Sequence, residues 1–557
     1  MLKVIDDNYY DLIVNNGTLS SYNEDDITLL NEFHSLIHVE KYEADSCSLE
    51  QGPYATLPKL FSLTSTISIE KSGMADVQRD PNFSLFGQGV IVGIVDTGID
   101  YQHPSFINND RTTRILSIWD QTVQEGSPPQ GFTFGTEYSK NYINNALISR
   151  NPLSVVPSTD TNGHGTAIAS IIAGNSNPEL SFSGVVPNTE LVIVKLKQAK
   201  QILKNIFFVP EDSLCFQESD IMLGLRYLMT ISQRMNRPLV ICIALGSSQG
   251  GHDGFGPISI YLDSIVRLPG IGISVAAGNE GNNSRHYFNN TVSEPFYNNF
   301  LLNVGNNDTR FSMEIWPYAP QRLSIEISSP DLEITQIVYP SSTECQRFTF
   351  NNSQSIVWVN NISFESGTGD PVILIRFENP IPGIWHFRVR NNENEPFSFH
   401  SWLPSGDLIS NDTFFLEANP NTTITSPGNT MSILTVTAYN QLINNILIES
   451  GRGYTRGGLI KPDIAAPGYQ LPCALPGNQY GMLTGTGAAA AHTAGAIAMI
   501  LEWAYVKGNF TAITGTQINR VIIREAQHNI AYIYPNNIWG YGQLNIYNVL
   551  NLLSSII

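Results

Sequence analysis

Residues 89–104 read "GVIVGIVDTGIDYQHP", an unbroken apolar run rich in Val and Ile that ends on a carboxylate, Asp96. A strand covered on both faces has this texture. Three further runs share it: "ELVIVKL" (190–196), "PLVICIAL" (238–245) and "GIGISVAAG" (270–278). Between them "HGTAIASIIAG" (164–174) and "ESDIMLGLRYLMTISQRM" (218–235) read as helices. Strands alternating with helices predict a parallel sheet wound by crossovers, with helices on both faces. Sites in such α/β folds collect at the carboxyl ends of the strands, which is where Asp96 falls.

Outward from this core the texture changes twice. Residues 1–55 mix short apolar runs with a predicted helix, "NEDDITLLNEFHSL", capped by Asn23 and striped by Leu29, Leu30, Phe33 and Leu36. They read as a small α+β unit, followed by "LEQGPYATLPKLF", whose Gly and Pro residues punctuate a linker. From about 301 to 430, two-residue alternation in "RLSIEISS", "QSIVWVNNISF", "PVILIRFENP" and "GIWHFRVRNN" predicts an inserted antiparallel sandwich of jelly-roll type. The expected division is therefore 1–55, 56–300, 301–430 and 431–557. The last part resumes the α/β pattern and ends in the apolar helix "AHTAGAIAMILEWAYVKG".

Composition narrows the function classes. Of 557 residues, 42% are hydrophobic and only 14% charged, and 44 glycines and 31 prolines describe a loop-rich globular chain able to bury a large core. A net charge of −19 argues against a broad footprint for nucleic acid or anionic lipid. The five cysteines, Cys47, Cys215, Cys242, Cys345 and Cys473, show no CxxC and no metal-ligand spacing, which favours free thiols over a disulfide framework or a zinc site. No metal or cofactor is expected, and the acidic residues are too dispersed to nominate a calcium site. "MLKVIDDNYYDLIVNNG" lacks the apolar core of a secretory signal and no run reaches membrane-span length, so synthesis and retention in the cytoplasm is the expectation.

Four stretches carry chemistry. Asp96 closes a buried strand, His164 stands at a helix start in "TNGHGTAIAS", Asn279 follows a strand in "SVAAGNEG", and "KPDIAAPG" precedes "TGTGAAAAHTAGAIAMIL". A buried carboxylate orienting an imidazole, with an amide donor for a developing oxyanion, is the equipment of acyl transfer. In this order the four stretches resemble the subtilase family of serine proteases. The family's turn carries Gly-Thr-Ser; this chain has Gly485-Thr486-Gly487, with His492 fixing the register. Losing the nucleophile of such a triad costs about a million-fold in turnover. Thr484, Thr486, Ser247 and Ser248 are the neighbouring hydroxyls, and a substitute must reach His164 while keeping the oxyanion geometry. Leu245-Gly246-Ser247 reads as the substrate-cleft strand, able to pair with an extended peptide.

Longer flanking text, "SGMADVQRDPNFSLFGQGVIVGIVDTGIDYQHPSF", "TRILSIWDQT", "GGHDG" and the insertion between Asn279 and Gly487, resembles the Csp subtilases of clostridial spores. The resemblance implies an N-terminal prodomain acting as an intramolecular chaperone and a jelly-roll insertion clamping the core. It also implies partners, other Csp proteins and the precursor of a cortex hydrolase, and a place in the spore. Active members of that family cleave the precursor; members lacking triad residues are pseudoproteases that keep the prodomain and relay or regulate the germinant signal. Gly487 aligns this chain with the latter, the CspC type, and implies a prodomain left uncut with its tail in the cleft. Alternatives are an active endopeptidase with a relocated nucleophile or an engineered Ser-to-Gly substitution, and a structural spore-layer or chaperone protein. In "GRGYTRGGLIK", Arg452, Arg456 and Lys461 gather without an acid among them. They predict either a pocket for an anionic small molecule such as a bile-acid germinant, or internal ion pairs.

Overall fold

Nine strands form the central sheet of the computed structural model, which describes residues 2–41, 53–64, 74–180, 182–292, 296–341 and 345–556. At its centre Ile91–Asp96 runs parallel to Leu239–Ile243 on one side and Glu190–Lys195 on the other. Ile271–Ala276 and Leu434–Asn440 extend the parallel set past Leu239–Ile243, and Ile464–Pro467 pairs alongside Leu434–Asn440. Ile115–Asp120 extends it in the other direction, and short antiparallel strands, Thr136–Ser139 and Asn445–Ile446, close the two edges. The helices His164–Ala173 and Thr486–Leu501 pack over one face, Glu218–Met235 and Pro257–Ile265 over the other. Small residues let the longest of these approach: Ala488–Ala491 are fully buried, and a Cβ at Gly272 would lie 2.3 Å from Ile497.

The insertion folds as two antiparallel sheets, of six and four strands, enclosing their own apolar core. It takes in His286–Val292, ahead of the expected start at 301, and its last strand is Phe414–Phe415. The period-two pattern accounts for this: in Gly383–Asn391, Trp385, Phe387 and Val389 are buried while His386, Arg388 and Arg390 are exposed.

Two expectations are corrected here. The helix predicted over "NEDDITLLNEFHSL" is absent; Ile27–Leu29 and His34–Glu40 are antiparallel strands, and His34–Glu40 is also paired with Tyr9–Asn15. Asn23 caps only a 3₁₀ turn. The supposed helical stripe divides, Leu30 and Leu36 being buried and Leu29 and Phe33 exposed, because pairing with the first strand buries the "HSLIHVE" run better than a lone helix would. Second, the expectation of free thiols fails at Cys345, which is disulfide-bonded; Cys215, Cys242 and Cys473 are free and buried. Cys47 lies outside the described residues.

Candidate active site

Asp96 ends the central strand and His164 opens the helix that follows in space. His164 Nδ1 donates to the Asp96 carboxylate, 2.8 and 3.0 Å from its two oxygens, with both side chains buried. The carboxylate fixes the ring proton on Nδ1 and leaves Nε2 as a lone pair, the form a general base requires. Nε2 is buried and meets no protein donor among the described residues.

A second carboxylate, passed over in the sequence, sets this geometry. Asp160 accepts from the Thr97 hydroxyl, from Gly163 N and from both the amide and hydroxyl of Thr166. Thr97 in turn accepts from Gly165 N at 2.9 Å, tying strand end to helix start. The approach leaves no room for a side chain, since a Cβ at Gly165 would sit 2.2 Å from the Gly98 carbonyl.

Asn279 and Gly487 build the second half of the site. Asn279 Oδ1 accepts from the amide and hydroxyl of Thr486, at 3.1 and 3.0 Å, and Gly278 N donates to the same hydroxyl at 3.0 Å. An amide N–H only donates, so Oδ1 must face Thr486, and Nδ2 is the group left to offer elsewhere. Gly487 N, at the start of Thr486–Leu501, donates to the carbonyl of Thr64. A peptide carbonyl held by the amide of the nucleophile position occupies the place where an acyl group is attacked.

Thr64 follows a strand, Leu60–Leu63, whose first two residues fall in the expected linker. Leu60–Leu63 lies between two edges: Leu63 and Ser62 pair with Leu245 and Gly246, and Phe61 and Leu60 pair with Phe216 and Gln217. Thr64 N adds a bond to Ala244 O at 3.1 Å. Leu60 and Phe61 are fully buried, and Leu60 N donates to the Gln249 side chain. The chain thus fills its own groove from both sides, with a peptide carbonyl seated at the reaction centre. The segment in the groove begins beyond residue 55, where the N-terminal unit was expected to end.

A profile of the subtilase family matches residues 87–359 and 408–542, most of the chain. The chain belongs to the subtilase family. The solved structure of the CspB protease of Clostridium perfringens is 28% identical, with a TM-score of 0.77, over 87% of this chain and 97% of that one. The C5a peptidase of Streptococcus pyogenes is 21% identical over 447 residues, 74% of this chain and 34% of the relative. The subtilisin-like protease SBT3 of Solanum lycopersicum is 22% identical over 475 residues, 75% of this chain and 55% of the relative. This subtilase therefore spans about a third of the length of the C5a peptidases it matches.

Among subtilase positions, Gly487 stands at the nucleophile and brings no side chain to His164. Nε2 of His164 bonds to no hydroxyl among the described residues, those of Thr484, Thr486, Ser247 and Ser248 included. The buried Cys242 thiol is pushed up by burial and by Asp96, which favours its protonated form. Of the expected cleft strand, Leu245 and Gly246 do pair with the peptide segment, whereas Ser247 is turned to Ser426 by two backbone bonds of 3.0 and 2.8 Å. The anion pocket is not assembled. Arg456 is 6% exposed and paired with Asp370 at 2.7 Å and Asp253 at 3.8 Å; Lys461 is 1% exposed and paired with Asp463 at 2.6 Å. Arg452 packs apart from them against the Thr423 segment. Arg456 neutralises acids distant in sequence, which a local reading of "GRGYTRGGLIK" could not supply, whereas Lys461 pairs with an acid two residues on. Among the described residues no cluster could hold a metal ion and no helix is long and apolar enough to cross a membrane.

Proposed function

We propose that this subtilase is a pseudoprotease that keeps its N-terminal segment uncut in the groove and acts as a regulator. The observation that carries the reading is the pairing of an ordered Asp96–His164 dyad and a seated Thr64 carbonyl with a glycine where the attacking hydroxyl belongs. Every part that binds a peptide is present and the one part that breaks it is missing, so the site is suited to holding rather than cutting. Similarity to a clostridial Csp protease supports a finer reading: a spore protein that senses or relays germinant signals and regulates proteolytic activation of a cortex hydrolase, with other Csp proteins and the hydrolase precursor as partners. Incubation of the purified chain with a fluorophosphonate probe and with the precursor tests the first part, and the expected result is no labelling and no cleavage. Spores lacking the chain test the second: germinant response is expected to fail and to return with the unmodified gene, and a normal response in its absence would overturn the regulatory reading.

A further inference from the structure

A cavity of about 470 Å³ lies where the N-terminal unit, the 53–59 stretch, the core and the sandwich meet. Small-molecule sites fall in the range of about 300–1,000 Å³ and are mostly apolar with a few placed polar groups. Ile13 and Val14 of the N-terminal sheet, Tyr54, Pro257 and Trp316 supply the apolar walls, and half-exposed Phe255 stands among the lining residues at the surface.

The charges on the lining select the ligand. Lys59 is committed, its ammonium donating to the carbonyls of Tyr54 and Leu57 at 3.0 Å each and lying 3.8 Å from the centre of the Tyr54 ring. Glu365 accepts from Gly367 N and from the amide and hydroxyl of Thr368, and Asp253 accepts from Phe255 N. The lysine and the two acids on the lining are all engaged, so no charge is left to meet that of a ligand. We infer that this junction cavity binds an uncharged, mostly apolar small molecule, and that its occupancy holds Leu60–Thr64 in the groove.

The second half follows from the chain path. Tyr54 and Lys59 wall the cavity and lead directly into the strand at Leu60. If that strand leaves the groove its neighbours leave with it and the cavity ceases to exist. A ligand that recognises the assembled walls binds only the seated state and stabilises it by mass action. This inference rests on the reading of an uncut, self-occupied groove.

The test uses the full chain and three probes of one shape: 4-phenylphenol, biphenyl-4-carboxylate and biphenyl-4-methylamine. Calorimetry is expected to give one site per chain for the phenol, at least tenfold tighter than for the carboxylate or the amine. Ala55→Trp, which fills the cavity, is expected to abolish it. At phenol concentrations ten times Kd, hydrogen exchange of the Leu60–Thr64 amides is expected to slow about tenfold. A carboxylate or amine that binds as well as the phenol, no phenol binding by the unmodified chain, or unchanged exchange of those amides overturns the inference. Intact mass of the same sample keeps the two readings apart: a chain cut after Thr64 defeats the pseudoprotease reading, whereas a whole chain that ignores the phenol defeats only this one.

Discussion

Gly487→Ser is the perturbation to which the site is most exposed. The new hydroxyl would enter a place bordered by a lone pair on His164, with Asp96 behind it, and by the Thr64 carbonyl already seated on the residue 487 amide. Restoring the nucleophile returns a contribution whose loss costs about 10⁶-fold in turnover, about 8 kcal/mol of barrier. Helix propensity does not oppose the substitution, since Ser is favoured over Gly in a helix by about 0.5 kcal/mol. The expected outcome is self-cleavage after Thr64, read by intact mass as residues 1–64 and 65–557, while Gly487→Ala and the double variant Gly487→Ser/His164→Ala remain whole. A natively folded Gly487→Ser chain that stays intact for days would show that Asp96, His164 and Asn279 are no longer poised, and the argument from geometry would fall.

Four other outcomes follow from the same contacts. Asp160→Asn in the Gly487→Ser background is expected to slow self-cleavage by about 10²-fold, the cost of displacing a reacting group by about 1 Å; an unchanged rate would remove Asp160 as a positioning residue. Phe61→Ala truncates a fully buried ring and is expected to cost about 3–5 kcal/mol, seen as faster hydrogen exchange across Leu60–Thr64, and unchanged exchange would refute the seated strand. Arg456→Ala strands Asp253 and Asp370 and is expected to lower the urea midpoint by about 3 kcal/mol of stability, whereas an unaltered midpoint would return Arg456 to the candidates for ligand binding. Burial lowers His286 to about 3, so the unfolded chain takes up its proton first, near the ordinary value of 6.5. The stability from neutral His286 is present above pH 6.5 and is lost as pH falls toward 3; His286→Asn is expected to shrink the difference between pH 6.5 and pH 5 by about 2 kcal/mol, and an identical pH profile would contradict that burial.

Much of this site was legible in the sequence because its signals are local. The run ending at Asp96, the helix start at His164 and the small residues after Gly487 each announce their element within ten residues, and strand ends in a parallel sheet do the rest. Glu218–Met235 was read to the residue because a long periodic helix over-determines itself. Ile115–Asp120 was missed because its apolar run is broken by Ser117, and the sheet, not the segment, makes it a strand. The hairpin at Ile27–Glu40 was misread for a related reason: its residues satisfy a helical stripe as well as an alternating one, and only Tyr9–Asn15 decides between them. Least legible was Leu60–Thr64. "KLFSLT" has no distinctive composition, and its importance comes wholly from two edges contributed by residues about 150 and 185 positions away. Arg456 teaches the same lesson for charge, its partners Asp253 and Asp370 being set by the fold.

The strand in the groove also settles how a visitor would fare there. A segment tethered to its own site competes as though present at about millimolar concentration, with no assembly cost to repeat at each return. A free peptide of equal intrinsic affinity and micromolar abundance would hold the groove for about one part in a thousand of the time. Recognition through this groove is therefore closed to ordinary partners, and a molecule that reads this protein must either pull the tether out or read the surface that the tether leaves untouched.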